Sequence, residues 1–404
     1  MDLSSSAPLY CLGVIGLNRK RCRWGLLMVV LIGAWGFLAA SDEVAFQDPG
    51  LQTAVVEALA LEERAITLED LASLTTLVAS GRGIVDLTGI ASCSALERLY
   101  LDGNDIADLA PLAGLTSLLT LTLNGNRIVD VAPLAALDQL TSVTLHANQI
   151  ADVGPLASLT ALTSVSVGNL IEDLSPLATL PHLTRLMLTV LPIADLSALA
   201  QMDGLEFLTV SSGRTLSGRP TFDSAVLSGC VQLATLRLDG YDIVGVSDLA
   251  GSVPSLRSLE LHYVGVEDVS GFDAFPELAA LTLDGVVPSS EGLDLSLLVV
   301  PPSITSLTLE NNGIVNPTML ATATQLTQLS LKRNQMTTVE SLAALTNLTV
   351  LDLSFNPITD LAPLEGMTSL RSLTIQGVPF ERTEGSETNR LLRELLERGV
   401  NIYY

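Results

Sequence analysis

The chain has 404 residues, 48% of them hydrophobic and only 4% aromatic, and carries a formal net charge of −24. So acidic a surface repels phosphate backbones and anionic headgroups, which argues against nucleic-acid binding and favours a basic partner or simple solubility. The length ordinarily implies two or three globular domains, but it fits one domain when each unit packs only on its neighbours.

Residues 1–41 read as a signal peptide or signal anchor. Arg19, Lys20, Arg21 and Arg23 precede an apolar run from Gly25 to Ala40, and the small residues Ala39, Ala40 and Ser41 mark a cleavage region. The run is short for a membrane span, which needs ~20 residues. Basic residues before it and Asp42 and Glu43 after it direct the remainder outward in either case. Beyond the leader only Cys93 and Cys230 remain. They occupy equivalent core positions six repeats apart, too distant for a disulfide, and are expected as buried free thiols.

Residues 42–73 are expected to form a helical N-terminal cap. Asp48-Pro49 starts a helix running to about Leu61 with Leu51, Val55 and Leu59 as its apolar stripe. Thr67-Leu-Glu-Asp70 is a capping-box variant that opens a second helix. A first coil with no predecessor needs such a cover.

Residues 74–380 carry one recurring rhythm. Leu96, Leu99, Leu101, Asn104, Ile106, Leu109 and Leu112 are followed 22 residues on by Leu118, Leu121, Leu123, Asn126, Ile128, Val131 and Leu134. Alternation holds only in the first part, so neither a helix nor a strand alone accounts for it. Spacing of this kind, with a period of roughly 20–29 residues, marks a leucine-rich repeat. Fourteen units begin at Leu74, Leu96, Leu118, Leu140, Leu162, Leu183, Leu205, Leu233, Leu256, Leu278, Ile304, Leu326, Leu348 and Leu370, irregular over 205–232 and 278–303. The predicted fold class is an α/β solenoid, a curved array with a parallel β-sheet on its concave face.

Within a unit, positions four and six point inward, and positions three, five, seven and eight are expected on the concave face. Position nine holds Asn104, Asn126, Asn148, Asn312, Asn334 and Asn356. Their amides are expected to satisfy backbone groups freed by the bend, as a ladder. Aspartates at 86, 108, 130, 152, 173, 195, 268 and 360 are read as Asx-type caps of the convex turns rather than calcium ligands. Residues 381–404 complete the array as a helix–strand C-terminal cap. Leu391, Leu392, Leu395 and Leu396 form its helical face, Glu394 and Arg398 make an i,i+4 pair, and Gly399 is the stop.

Asn104-Asp-Ile-Ala-Asp-Leu-Ala-Pro-Leu112 and Asn356-Pro-Ile-Thr-Asp-Leu-Ala-Pro-Leu364 resemble the 22-residue repeats of bacterial internalin-like surface proteins, a subtype found also in phosphatase regulatory subunits. Phe46-Gln-Asp-Pro-Gly-Leu51 and Ile66-Thr-Leu-Glu-Asp-Leu71 are similar to the helical start of many bacterial members. The resemblance implies a solenoid that binds another protein on its concave face. No immunoglobulin-like segment or cell-wall sorting signal accompanies the repeats, so host-cell adhesion is not carried over. Pro301-Pro-Ser-Ile-Thr-Ser-Leu307 resembles a different bacterial repeat subtype and suggests a kink or a junction of two repeat blocks.

No catalytic constellation emerges. His146 and His262 share a concave column but lie five strands apart, on the order of 24 Å, and no phosphate loop, paired-cysteine motif or nucleophile elbow is present. No cofactor or metal is implied. Repeats three to five offer small concave residues. The middle block instead offers Arg185, Met187, Phe207, Arg237, Asp239, Tyr241, Glu260, His262 and Tyr263. Aromatic, Arg and Met side chains are the usual interface anchors, and here they gather where Leu191, Gly213, Tyr241, Val264 and Val286 replace the asparagine. Against this, Arg237 and Glu260 could be no more than a cross-strand ion pair. Arg214 and Arg219 sit on an inserted loop, either a ligand contact or a tolerated insertion.

Three readings follow. The first is an exported, monomeric binding protein for a protein partner of basic character, touching the membrane only if its leader is uncleaved. The second is an anchored envelope scaffold. The third is an intracellular regulator like the phosphatase subunits.

Overall fold

The structure is a computed structural model and describes residues 44–61, 64–168, 170–189, 195–212, 218–266, 269–288, 295–380 and 385–404. The leader, Arg214 and Asp268 lie outside them. The repeats and their caps form the unit from Val44 onward.

Fifteen strands form one parallel sheet in which spatial order follows chain order throughout. The first fourteen begin at position three of their repeats, and positions four and six bury their side chains: Leu99 and Leu101, Leu121 and Leu123, Leu236 and Leu238 are all fully buried. The strand alternation therefore ends where the chain turns, and the remaining apolar positions fill the space between the sheet and short convex helical turns such as Ala110–Leu112 and Ala132–Ala136. Each aspartate of the convex column that is described accepts a hydrogen bond at Oδ1 from the amide two residues on, for instance Asp108 from Ala110 and Asp130 from Ala132. The carboxylates are thus occupied as turn caps.

The position-nine asparagines form the ladder. Asn126 Oδ1 accepts from the Ile106 amide of the preceding coil, while Nδ2 donates to Leu101 O of that coil and Leu123 O of its own. Asn104, Asn148, Asn334 and Asn356 repeat the arrangement, and Asn312 accepts from Val286 N and donates to Leu283 O. One side chain thus joins two coils at the point where the strand ladder stops.

Through repeats seven to ten, where asparagine is absent, a second sheet replaces it. Thr221–Phe222, Asp242–Ile243, Gly265–Val266 and Val287–Pro288 pair in parallel as a four-stranded sheet just beyond the concave strands. Gly265 N donates to Tyr241 O and Asp242 N to Pro220 O, so backbone amides do what the asparagine amide does elsewhere. The concave strands of repeats six to eleven are also longer, five residues against three in the asparagine-bearing repeats two to four. The segment after Pro301 does not interrupt the sheet: Ser306–Glu310 pairs along its full length with Ala280–Asp284.

Position eight is the turning point and adopts positive φ almost throughout. Gly103, Gly125 and Gly377 meet this requirement without cost, but Ala147, Tyr263, Asn311, Arg333 and Phe355 adopt it as non-glycine residues. Tyr263 and Phe355 lie over the glycine at the same position of the next coil. A Cβ on Gly285 would come within 2.8 Å of Tyr263 Cδ1, and one on Gly377 within 2.8 Å of Phe355 Cδ1.

At the N-terminal end, Asp48 caps the Pro49–Ala58 helix through the Gly50 and Leu51 amides, and its other oxygen reaches Val85 N of the first repeat. The Leu68–Ala72 helix carries the full Thr67/Asp70 capping box. At the other end, the Glu387–Glu397 helix precedes the strand Asn401–Tyr403, which pairs with Ser372–Thr374. Two details of this end differ from the sequence expectation. Leu396 is half exposed while Leu391, Leu392 and Leu395 are buried. Arg398 donates to Met367 O instead of pairing with Glu394, whose i,i+4 partner is Arg390.

Cys93 and Cys230 are free and buried. Burial pushes their thiols up to about 12 and about 11, which leaves both protonated and inert.

Candidate binding surface

The five-residue strands place three side chains per repeat on the concave face instead of two. In register, position three reads Arg185, Phe207, Thr235; position five reads Met187, Thr209, Arg237, Glu260; position seven reads Thr189, Ser211, Asp239, His262, Asp284, Glu310. The columns bring most of the middle-block candidates into one neighbourhood. A depression of about 300 Å³ is lined by Met187, Thr189, Phe207, Thr209, Ser211, Arg237, Asp239 and Glu260.

Its walls differ in chemistry. On one side the Arg185 guanidinium lies 5.2 Å from the centre of the Phe207 ring, a cation–π contact at the surface. On the other, Arg237 lies 3.4 Å from Glu260, and His262 stands between two carboxylates, Nδ1 3.3 Å from Asp284 and Nε2 3.7 Å from Glu260. The Glu260 carboxylate, with Asp284 behind it, raises the His262 imidazole above its ordinary 6.5, against the opposing effects of burial and Arg237. His262 in turn holds Glu260 below the usual carboxylate range, helped by Arg237. The floor is Thr209, 5% exposed, whose hydroxyl has no hydrogen-bond partner.

Three candidates are placed elsewhere. Tyr241 is not a surface anchor: it is 2% exposed and meets Phe222 edge-on, ring centres 5.6 Å apart. Position nine faces the interior, so an aromatic there fills the volume left by asparagine and lies under the second sheet. Arg219 pairs with Asp242, Nε to Oδ1 2.6 Å, and so joins neighbouring members of that sheet. Tyr263 stands at the turning edge beside the depression, not in it.

Sequence reasoning did not single out Thr189, Thr209, Ser211 or Asp284. Their positions in the repeat place all four on the concave face. What the sequence lacked was the knowledge that the Thr209 hydroxyl is left unpaired.

The repeats match family models described as leucine-rich repeats, two copies at residues 94–136 and 346–382 and a further block at 302–358. With the parallel sheet these define a leucine-rich repeat solenoid. Among solved structures, an internalin (InlF) of Listeria monocytogenes is 26% identical, covering 81% of this chain and 95% of its own, with a TM-score of 0.53. Internalin C2 of the same organism is 33% identical over 48% of this chain and 94% of its own, TM-score 0.39. A leucine-rich repeat protein of Leptospira interrogans is 19% identical, covering 83% and 97%, TM-score 0.52. No curated protein matches the sequence. The chain is an internalin-like leucine-rich repeat protein.

Proposed function

We propose that this protein is an exported binding protein that captures a protein partner on its concave face, centred on repeats six to nine. The observation that carries the reading is the depression between Met187, Phe207, Arg237, Asp239 and Glu260. It joins apolar, aromatic and charged anchors in one concave spot, the composition that concentrates binding energy in interfaces. Export rests on the leader pattern of residues 1–41. Among the described residues no helix is long and apolar enough to cross a membrane. The reading is one of binding and not of catalysis, since His262 is engaged with two carboxylates and His146 belongs to a distant coil.

The test is capture of partners from the source organism by the purified chain, compared with a variant carrying alanine at Phe207, Arg237, His262 and Tyr263. Loss of the specific partner from a variant whose circular dichroism is unchanged supports the reading. Undiminished capture by a folded variant overturns it.

A further inference from the structure

The depression has Asp239 and Glu260 beside Arg237 on one wall, Met187 and Phe207 beside Arg185 on the other, and a buried hydroxyl at its floor, and together these specify an occupant. We propose that it receives an arginine or lysine side chain of the protein partner, the aliphatic stem lying across Met187 and Phe207 and the charged head meeting Asp239 above Thr209. This rests on the concave-face reading above.

The charges around the site do not cancel once the neighbouring strands are counted: Arg185 and Arg237 stand against Asp239, Glu260, Asp284 and Glu310. Arg237 is answered within the protein by Glu260, and Glu260 also faces His262. Asp239, adjacent to both Arg237 and His262 on the sheet, makes no ion pair among the described residues. Beyond it, position seven continues with Asp284 and Glu310. The surroundings therefore hold an excess of negative charge on a chain already at −24, and a cation is the complement.

Thr209 supplies an independent observation. Buried polar groups are nearly always hydrogen-bonded, and each exception asks for an explanation. The Thr209 hydroxyl is such an exception at the floor of the depression. Rotation about χ1 turns this hydroxyl toward an arriving guanidinium or ammonium N–H, which gives it a donor to accept from. Thr189 offers a further oxygen at the wall.

Shape agrees. About 300 Å³ is the lower limit of ordinary ligand pockets and suits one long side chain. Long basic side chains bury their methylene stems on apolar surface while their heads stay with polar groups, and Met187 and Phe207 provide that surface. An acidic side chain would meet Asp239 with like charge. A purely apolar one would dry Asp239 and Thr209 and pair neither. Among the described residues no His, Cys, Asp and Glu cluster could hold a metal ion instead.

The experiment uses the full chain with carbon-13-labelled methionine methyls, the Met187 signal assigned with Met187→Leu. Nα-acetyl-argininamide is titrated against Nα-acetyl-citrullinamide, which has the same shape without the charge. The expected result is a saturable shift of the Met187 methyl with the arginine probe, at least tenfold weaker with citrulline and at least tenfold weaker in Asp239→Asn. Thr209→Val weakens it several-fold. Unchanged signals from the buried Met336 and Met367 show that each variant is folded. Equal response to both probes, an undiminished response in folded Asp239→Asn, or no shift at Met187 overturns the proposal. Should the arginine probe fail while the four-alanine variant still loses its partner, the binding face stands and this occupant falls.

Discussion

Repeats two to five and repeats six to nine share one sheet, yet their concave faces are built on opposite principles. In the first block the polar side chains bond to one another across coils. Asp102 accepts from the Thr122 hydroxyl and from the amide and side chain of Asn124, Asn124 donates to Thr144 and accepts from His146 N, and His146 Nδ1 reaches Ser166. In the second block a buried hydroxyl has no partner, carboxylates crowd a histidine, and a depression opens between them. A surface whose donors and acceptors are spent internally has little left for a ligand. The unspent groups, more than the number of large side chains, distinguish the second block.

Four experiments would break or sharpen this contrast. The largest effect is expected from Tyr241→Ala, because the buried ring against Phe222 supports the second sheet. Truncating a buried aromatic costs about 3–5 kcal/mol, so chemical denaturation should show a marked loss of stability, whereas Tyr241→Phe should be near neutral. Equal stability of Tyr241→Ala would return this residue to the surface. Next, Asn126→Ala removes bonds to two coils and strands their backbone groups, a loss of about 2–3 kcal/mol. Hydrogen exchange should show the Ile106 amide losing its protection.

The third experiment is a pair. Thr122→Val breaks the bond to Asp102 and should cost about 1 kcal/mol, while Thr209→Val removes only an unpaired hydroxyl and should be neutral or slightly stabilising. Opposite signs are the signature of the two blocks, and equal losses in thermal melting would erase the contrast. The smallest effect is electrostatic. His262, facing Arg237, Asp239, Glu260 and Asp284, has a raised folded pKa, so its contribution to stability is fully present below about 6.5 and fades as pH rises through the raised value. Glu260, with its lowered pKa, contributes above about 4.5 and fades as pH falls through its depressed value. The pair therefore stabilises most between these limits. His262→Gln should flatten the alkaline side of that window in melting curves, and a profile identical to that of the native chain would contradict the assignment.

Much of the architecture was legible because it depends on spacing. Leu99 and Leu101 face inward since a strand alternates, and Asn126 is buried since a turn leaves amides to satisfy. The same logic misplaced Tyr241: once asparagine is absent, position nine can be filled by volume instead of hydrogen bonds, and only the three-dimensional pairing of Asp242–Ile243 with its neighbours shows that the backbone has taken over. Cross-coil features were least legible. Arg219 was read as a loop contact because its partner Asp242 is 23 residues away in the next coil, and Thr209 could be placed but its lack of a partner could not. The loss of asparagine, first read as a companion of the binding anchors, has its own structural cause in the second sheet.

That second sheet also separates the repeat's length from its sequence. An asparagine must arrive at a fixed distance from its strand to reach both coils, and its units hold close to one period. Backbone pairing asks only that two extended residues lie side by side, and the three intervals that exceed 22, after Leu205, Leu233 and Leu278, all fall where it operates. The middle of the solenoid is therefore the part that can take up new segments without losing its pitch, and the natural place to graft a loop.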